Sequence, residues 1–274
     1  MLCIWAIVHG TLFLFQLGTP YTSKWMQTMT PLTPYDLSRY SRQMLIPGWG
    51  EEGQLKLKSA TVFIAGAGGL GSPVALYLAV AGVGEIRVCD ADTVELSNLN
   101  RQLLHSDARL GMPKAESAGM TLQACNPTVR IVPQQVLLSE QTIEQSVGQA
   151  QIVVDCLDNY ETRYLLNTYC IQHRIPLVHG AIWGLTGQVT FLHPPDTPCL
   201  RCLTPEPPPK GTFPVVGVTP GLTGCLQAME VLKFITGIGA NLKGKLLTFD
   251  GEDLTFSSFR IQRMKACPAC GHLV

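Results

Sequence analysis

Thr61-Val-Phe-Ile-Ala-Gly-Ala-Gly-Gly-Leu-Gly-Ser-Pro-Val-Ala75, followed by Glu85-Ile-Arg-Val-Cys-Asp90, decides the fold. Thr61 to Ala65 is an apolar run of strand length, and Gly66 to Gly71 is a glycine-rich turn. An Ala/Leu-rich helix then runs to about Ala81. Glu85 to Asp90 is a second strand. Strand, helix and strand at this spacing form a βαβ unit, whose parallel strands need a crossover and therefore predict a doubly wound α/β sheet.

The alternation continues outward from that unit. Helices are predicted over Pro113 to Ala124, Ser139 to Val147 and Tyr160 to His173, and strands over Val129 to Leu137, Ile152 to Asp155 and Pro176 to His179. Upstream, Tyr35 to Lys58 carries helical spacing and ends in turns at Gly48, Gly50 and Gly53. Beyond Gly180 the texture changes. Gln188 to Leu192 and Lys245 to Arg263 alternate like antiparallel strands, with a helix from Gly221 to Ile235 between them. The expected fold is Rossmann-like, a mostly parallel sheet continued by an antiparallel C-terminal half. Pro205 to Pro209 reads as a loop.

A chain of 274 residues, 46% hydrophobic, is long enough for one large domain with a deep core. Lys plus Arg equals Asp plus Glu at 20 each, so no global field draws the chain to nucleic acid or an anionic membrane. The ten cysteines are spread along the chain, and four form two Cys-x-x-Cys pairs, a pattern of metal binding in a reducing, cytoplasmic compartment. Residues 1–33 read as an extension before a domain over 34–274. Leu2 to Leu17 is almost wholly apolar yet lacks the positive leader of a signal peptide. It is read as an overextended start, with Met26 or Met29 as initiator, or else as an apolar anchor.

Gly66-Ala-Gly-Gly-Leu-Gly71 fits the G-x-G-x-x-G pattern in its proper place, after a strand and at the head of a helix. Glycines there let phosphate oxygens approach backbone N–H groups at the positive helix end. Asp90, ending the next strand, is placed to accept both ribose hydroxyls. The fingerprint alone fits NAD as well as ATP. The following segment favours ATP, because Asn98, Arg101 and Lys114 lie close behind the loop. Cations there have no task in hydride transfer but would neutralise an α-phosphate and a departing pyrophosphate.

From about Tyr40 to Gly271 the chain resembles the ThiF/MoeB/HesA adenylyltransferases, relatives of the ubiquitin-activating enzymes. The resemblance implies that Gly66, Gly68, Gly69 and Gly71 cradle ATP, that Asp90 holds its ribose, and that Asn98, Arg101 and Lys114 grip its phosphates. It further implies that Asp158, in Asp155-Cys-Leu-Asp-Asn159, binds Mg²⁺. Arg42, in Arg39-Tyr-Ser-Arg-Gln43, would reach across a homodimer interface to the partner's ATP. Asp158 also has support from its position just past a buried parallel strand, although a turn or helix cap would use the same residues.

Cys199-Leu-Arg-Cys202 and Cys267-Pro-Ala-Cys270 can each present two thiolates to one ion, completing a structural Cys₄ zinc site with no open position for catalysis. Cys89, Cys125, Cys156 and Cys170 read as small core residues. Many relatives carry a reactive cysteine in the loop before the Gly221-to-Ile235 helix, but Leu203 to Gly224 contains none. Cys225 remains, as a packing residue or as a thiol activated by a helix N-terminus. The implied activity is therefore adenylylation of the C-terminal Gly-Gly carboxylate of a ThiS- or MoaD-like sulfur carrier, for thiamine, molybdenum-cofactor or related sulfur transfer. The alternatives are a small-molecule or tRNA-linked carboxylate, an NAD-dependent oxidoreductase, and a noncatalytic scaffold.

Overall fold

A computed structural model describes residues 30–209, 211 and 213–273, so the apolar segment Leu2 to Leu17, with Met26 and Met29, lies outside the described residues. In chain order the elements are α1 (Pro34–Arg39), α2 (Ser41–Met44), α3 (Gly50–Lys58), β1 (Thr61–Ala65), α4 (Gly71–Ala81) and β2 (Glu85–Cys89). Next come α5 (Lys114–Cys125), β3 (Arg130–Gln134), α6 (Ile143–Val147), β4 (Ile152–Asp155), α7 (Tyr160–His173) and β5 (Leu177–Trp183). The chain ends with β6 (Thr186–Leu192), α8 (Leu200–Leu203), α9 (Val218–Thr236), β7 (Lys245–Asp250) and β8 (Thr255–Arg260).

All eight strands join one sheet in the order β3-β2-β1-β4-β5-β6-β7-β8. The first five are parallel and the rest antiparallel, as the change of texture predicts. Successive side chains of a strand point to opposite faces, and β1 divides its residues accordingly. Val62 and Ile64 pack under α3, α4, α5 and α9, whereas Phe63 and Ala65 pack under α6 and α7. Burial on both faces explains why β1 and β4 read as unbroken apolar runs.

Several boundaries differ from expectation. The Tyr35 to Lys58 segment is three short helices, because Gly48 and Gly50 take positive φ and break the helical path between α2 and α3. Thr33 and Asp36 form a capping box that starts α1. The helix expected from Ser139 begins only at Ile143, since Ser139 and Thr142 bond each other in a turn. The strand expected from Val129 to Leu137 is confined to β3, Arg130 to Gln134, where parallel pairing with β2 ends. β5 runs past His179 to Trp183, carried on by its antiparallel pairing with β6. Cys125 is half-buried rather than a core residue.

Candidate active site

The order of the parallel strands reverses between β1 and β4, and ligands of such sheets bind outside the carboxyl ends of the strands at that point. A cleft of about 1420 Å³ opens there. Gly66, Gly68, Gly69, Asp90, Arg101, Lys114 and Asp158 all line it, so residues spread over 93 positions of sequence meet in one place.

The turn after β1 is glycine-rich because the chain just past β4, and the turn itself, press on it. Gly66 has φ +102°, and a Cβ there would stand 2.6 Å from the Cys156 carbonyl oxygen. At Gly71 a Cβ would meet the Gly66 carbonyl oxygen at 1.9 Å. Gly71 is thus required for closing the turn onto α4 and does not itself line the cleft, while Gly68 and Gly69 do.

Asp90 follows β2 and faces this turn. Its carboxylate accepts from the Ala67 amide at 2.8 Å and from the Asp92 amide at 2.9 Å. Burial pushes its pKa upward and outweighs those two hydrogen bonds and the nearby Lys114 charge. Lys114 is the first residue of α5 and is buried, and its Nζ donates to Asp92 Oδ2 at 2.9 Å. Arg101 is steadied by the Ser97 carbonyl at 2.8 Å and Asn100 Oδ1 at 3.0 Å. Asn98 stands behind it. Its Oδ1 accepts from the Glu95 amide at 3.1 Å and caps a short 3-10 turn, and it does not line the cleft.

Asp158 lies three residues beyond β4 and is exposed in the cleft. The cap of α7 is Asn159, whose side chain accepts from the Thr162 amide at 2.9 Å. Among the described residues Asp158 has no hydrogen bond or ion pair, so its carboxylate is free for a cation. Arg42 is exposed on α2 and does not line the cleft.

Beneath Asp158 is a buried network that the sequence reading does not anticipate. Asp155 Oδ2 is 2.6 Å from His179 Nδ1 on β5, and Asp155 Oδ1 is 3.4 Å from Arg163 Nε on α7. Arg163 Nη2 donates to the carbonyls of Leu157, at 2.5 Å, and Gly180, at 2.9 Å. Burial disfavours a charged Asp155, but Arg163 and His179 outweigh it and hold the carboxyl below its usual range. Burial in turn lowers the pKa of His179, so the imidazole is neutral. Arg163, held by Asp155, therefore ties the backbone at Leu157, beside the cleft, to that of β5 at Gly180. A charged residue on the apolar stripe Arg163, Leu166, Asn167, Cys170 is the sequence signal that could have found it.

The four cysteines of the two knuckles converge, with all their sulfurs within 4.8 Å of one another, and this cluster can hold a metal ion. Burial pushes the Cys199 thiol up to about 12, and four sulfurs this close cannot all ionise without a cation among them. The Met264 amide donates to Cys202 Sγ at 3.4 Å, the kind of support that ligating thiolates receive. α8 leads from this cluster into the loop whose Pro207, Pro208 and Pro209 line the cleft. Tyr164 fastens the loop's start by donating to the Thr204 carbonyl at 2.8 Å, with Arg201 stacked 3.7 Å over its ring.

Cys225 lies seven residues inside α9 rather than at its start, beyond the influence of the helix N-terminus. Burial raises its thiol pKa, so the activated-thiol alternative does not hold.

Comparison with known proteins agrees with this geometry. The ThiF family model matches residues 40–269. The SAMP-activating enzyme E1 of Haloferax volcanii is 46% identical over 241 residues, covering 86% of this chain and 89% of that protein. The sulfur carrier protein adenylyltransferase of Thermus thermophilus is 44% identical over 250 residues, covering 87% and 92% respectively. Against the zebrafish (Danio rerio) adenylyltransferase and sulfurtransferase MOCS3, 45% identical over 249 residues, the chain spans about half of the longer protein, 54%. Among solved structures, E. coli MccB with ATP superposes at a TM-score of 0.77, with 26% identity, covering 85% of this chain and 73% of that one.

Proposed function

The chain belongs to the ThiF family, and from that membership we propose that it uses ATP to adenylylate the C-terminal glycine of a ubiquitin-like sulfur carrier ending in Gly-Gly. The observation that carries this reading is the meeting of Lys114, Arg101 and Asp158 around one glycine turn at the switch point of the sheet. The domain spans residues 34–274, with 1–33 as an extension. Among the described residues no helix is long and apolar enough to cross a membrane. Cytoplasmic residence is part of the proposal, consistent with nine described cysteines that are all free.

In the proposed reaction the carrier carboxylate attacks the α-phosphate of ATP and pyrophosphate departs. The nucleophile is already ionised, so no general base is needed, and the rate comes from orientation and charge neutralisation. Gly66, Gly68 and Gly69 let the triphosphate approach the backbone, and Asp90 takes the ribose. Lys114 and Arg101 offset charge on the phosphates, with Asn98 supporting Arg101 from behind and Gly71 closing the turn. Asp158 would hold Mg²⁺, which supplies further neutralisation of the phosphates when bound. The chain acts as a homodimer in which Arg42 serves the partner's site. Leu45, Ile46, Tyr77 and Val80 are exposed apolar side chains that an interface would cover. No cysteine between Leu203 and Gly224 is available for a covalent relay, so the acyl-adenylate is the product released to a separate sulfur donor.

The direct test incubates the protein with ATP, Mg²⁺ and purified Gly-Gly carriers, with intact mass reporting carrier-AMP. Adenylate on a small carboxylate instead of any carrier would favour the alternative substrate class, and none on either would refute the reaction.

Cys199, Cys202, Cys267 and Cys270 are proposed to hold one structural Zn²⁺. Freshly reduced protein is expected to contain about one zinc per chain, and chelation to lower its melting temperature. Cys199→Ser should lose the metal and destabilise the fold. Full stability in a zinc-free preparation would dismiss the site as structural.

A further inference from the structure

His105 is buried between the glycine turn and α5, and both ring nitrogens are engaged. Nε2 lies 3.0 Å from the Ala67 carbonyl oxygen, and Nδ1 lies 2.9 Å from Ser117 Oγ. A carbonyl can only accept, so Nε2 carries the proton and Nδ1 accepts from the Ser117 hydroxyl. Ala67 is thereby held on two sides, because its amide donates to Asp90 at 2.8 Å while its carbonyl accepts from His105. Ser117 belongs to α5, the helix that begins at Lys114. A second stitch runs alongside, since Ser72 Oγ donates to the Gly68 carbonyl at 2.7 Å and accepts from the Leu104 amide at 3.4 Å.

We propose that His105 is a positioning residue for ATP, a neutral imidazole that ties the glycine turn to the Lys114 helix and fixes the turn's amides relative to the lysine. The inference rests on the cleft being an ATP site. The imidazole does not touch nucleotide itself. It acts on the peptide planes of the turn, whose N–H directions decide how well phosphate oxygens are met. Burial is the main reason it stays neutral, and the Lys114 and Arg109 charges act in the same direction, against the Ala67 hydrogen bond and Asp90.

The test separates the two ring nitrogens. Gln places an amide N–H near the Nε2 position, whereas Asn reaches only as far as Nδ1. Affinities for a non-hydrolysable ATP analogue and for adenosine are measured by calorimetry on the full chain, together with nucleotide-free melting temperatures. His105→Asn should weaken the analogue about tenfold, the scale of one lost hydrogen bond, and adenosine, which meets Asp90 but not the phosphate-facing amides, by much less. His105→Gln should recover most of the loss. Equal losses in both variants, or parallel losses for adenosine, would mean that His105 only fills the core and would overturn the assignment. If the unmodified protein failed to bind the analogue, the ATP reading of the cleft would fall, and this inference with it. Binding with no difference among the three proteins would remove His105 alone.

Discussion

Lys114→Met will slow carrier-dependent pyrophosphate release by about a hundred- to a thousandfold while barely moving the melting temperature. The lysine stem is buried and Met reproduces it closely, so packing is preserved. Its ion-pair partner, Asp92, is 72% exposed, so removing the cation leaves a solvated carboxylate rather than a buried orphan. With one partner in solvent such a pair contributes little to stability, and Asp90, whose burial the lysine offsets only in part, can take up a proton when the charge is gone. The same ammonium in a half-enclosed cleft is worth far more to a phosphate that gains charge as pyrophosphate departs, because the site is prearranged and poorly screened. Asp92→Asn should give a smaller loss, about tenfold, since it only loosens the aim of Nζ. Pyrophosphate release and intact mass of the carrier measure the rate, and thermal melting measures the fold. A Lys114→Met protein at the unmodified rate would take the lysine out of the chemistry.

What the sequence reveals here depends on whether a residue's task is local. The βαβ unit is legible because strands buried on both faces become continuous apolar runs, and because the turn between β1 and α4 demands glycine wherever Cys156 and Gly66 press on it. Asp90 and Lys114 are legible as well, each at the end of a regular element that opens onto the cleft. Asn98 illustrates the limit. Its spacing behind the turn suggests a phosphate contact, and spacing alone does not disclose that its Oδ1 also accepts from the Glu95 amide in a local cap. The Asp155, Arg163 and His179 network is hidden for a different reason. Its members come from β4, α7 and β5 and meet only when the sheet closes, and each alone reads as a surface charge or a turn. The four cysteines escape that difficulty because Cys-x-x-Cys pairs, which can hold a metal ion, advertise themselves by spacing within each knuckle, even when the knuckles are 64 residues apart. Positions set by a turn or by a ligand are readable in one dimension, and those set by convergence of three elements are not.

Arg42→Ala and Asp158→Ala should each nearly abolish activity, by about a thousandfold, yet a mixture of the two should regain it. Arg42 does not line the cleft of its own chain. Its neighbour Gln43 donates to the Ala81 carbonyl at 2.8 Å, at the last residue of α4, while the turn opens the first residue of that helix. The 11 residues of α4 span about 16 Å, more than an arginine side chain covers. An arginine with a catalytic task must then serve another copy, which a two-fold dimer supplies symmetrically. In a mixed dimer the Asp158→Ala chain lends its intact Arg42 to the partner's intact Asp158, restoring one of two sites. Random exchange of equal amounts makes half the dimers mixed, so about a quarter of the unmodified activity should return. Recovery must follow the time course of subunit exchange, read by mass-tagged chains, and must not appear when exchange is blocked by crosslinking beforehand. If verified mixed dimers release no more pyrophosphate than the parents, Arg42 does not act across an interface. Arg42 would then act in cis or not at all.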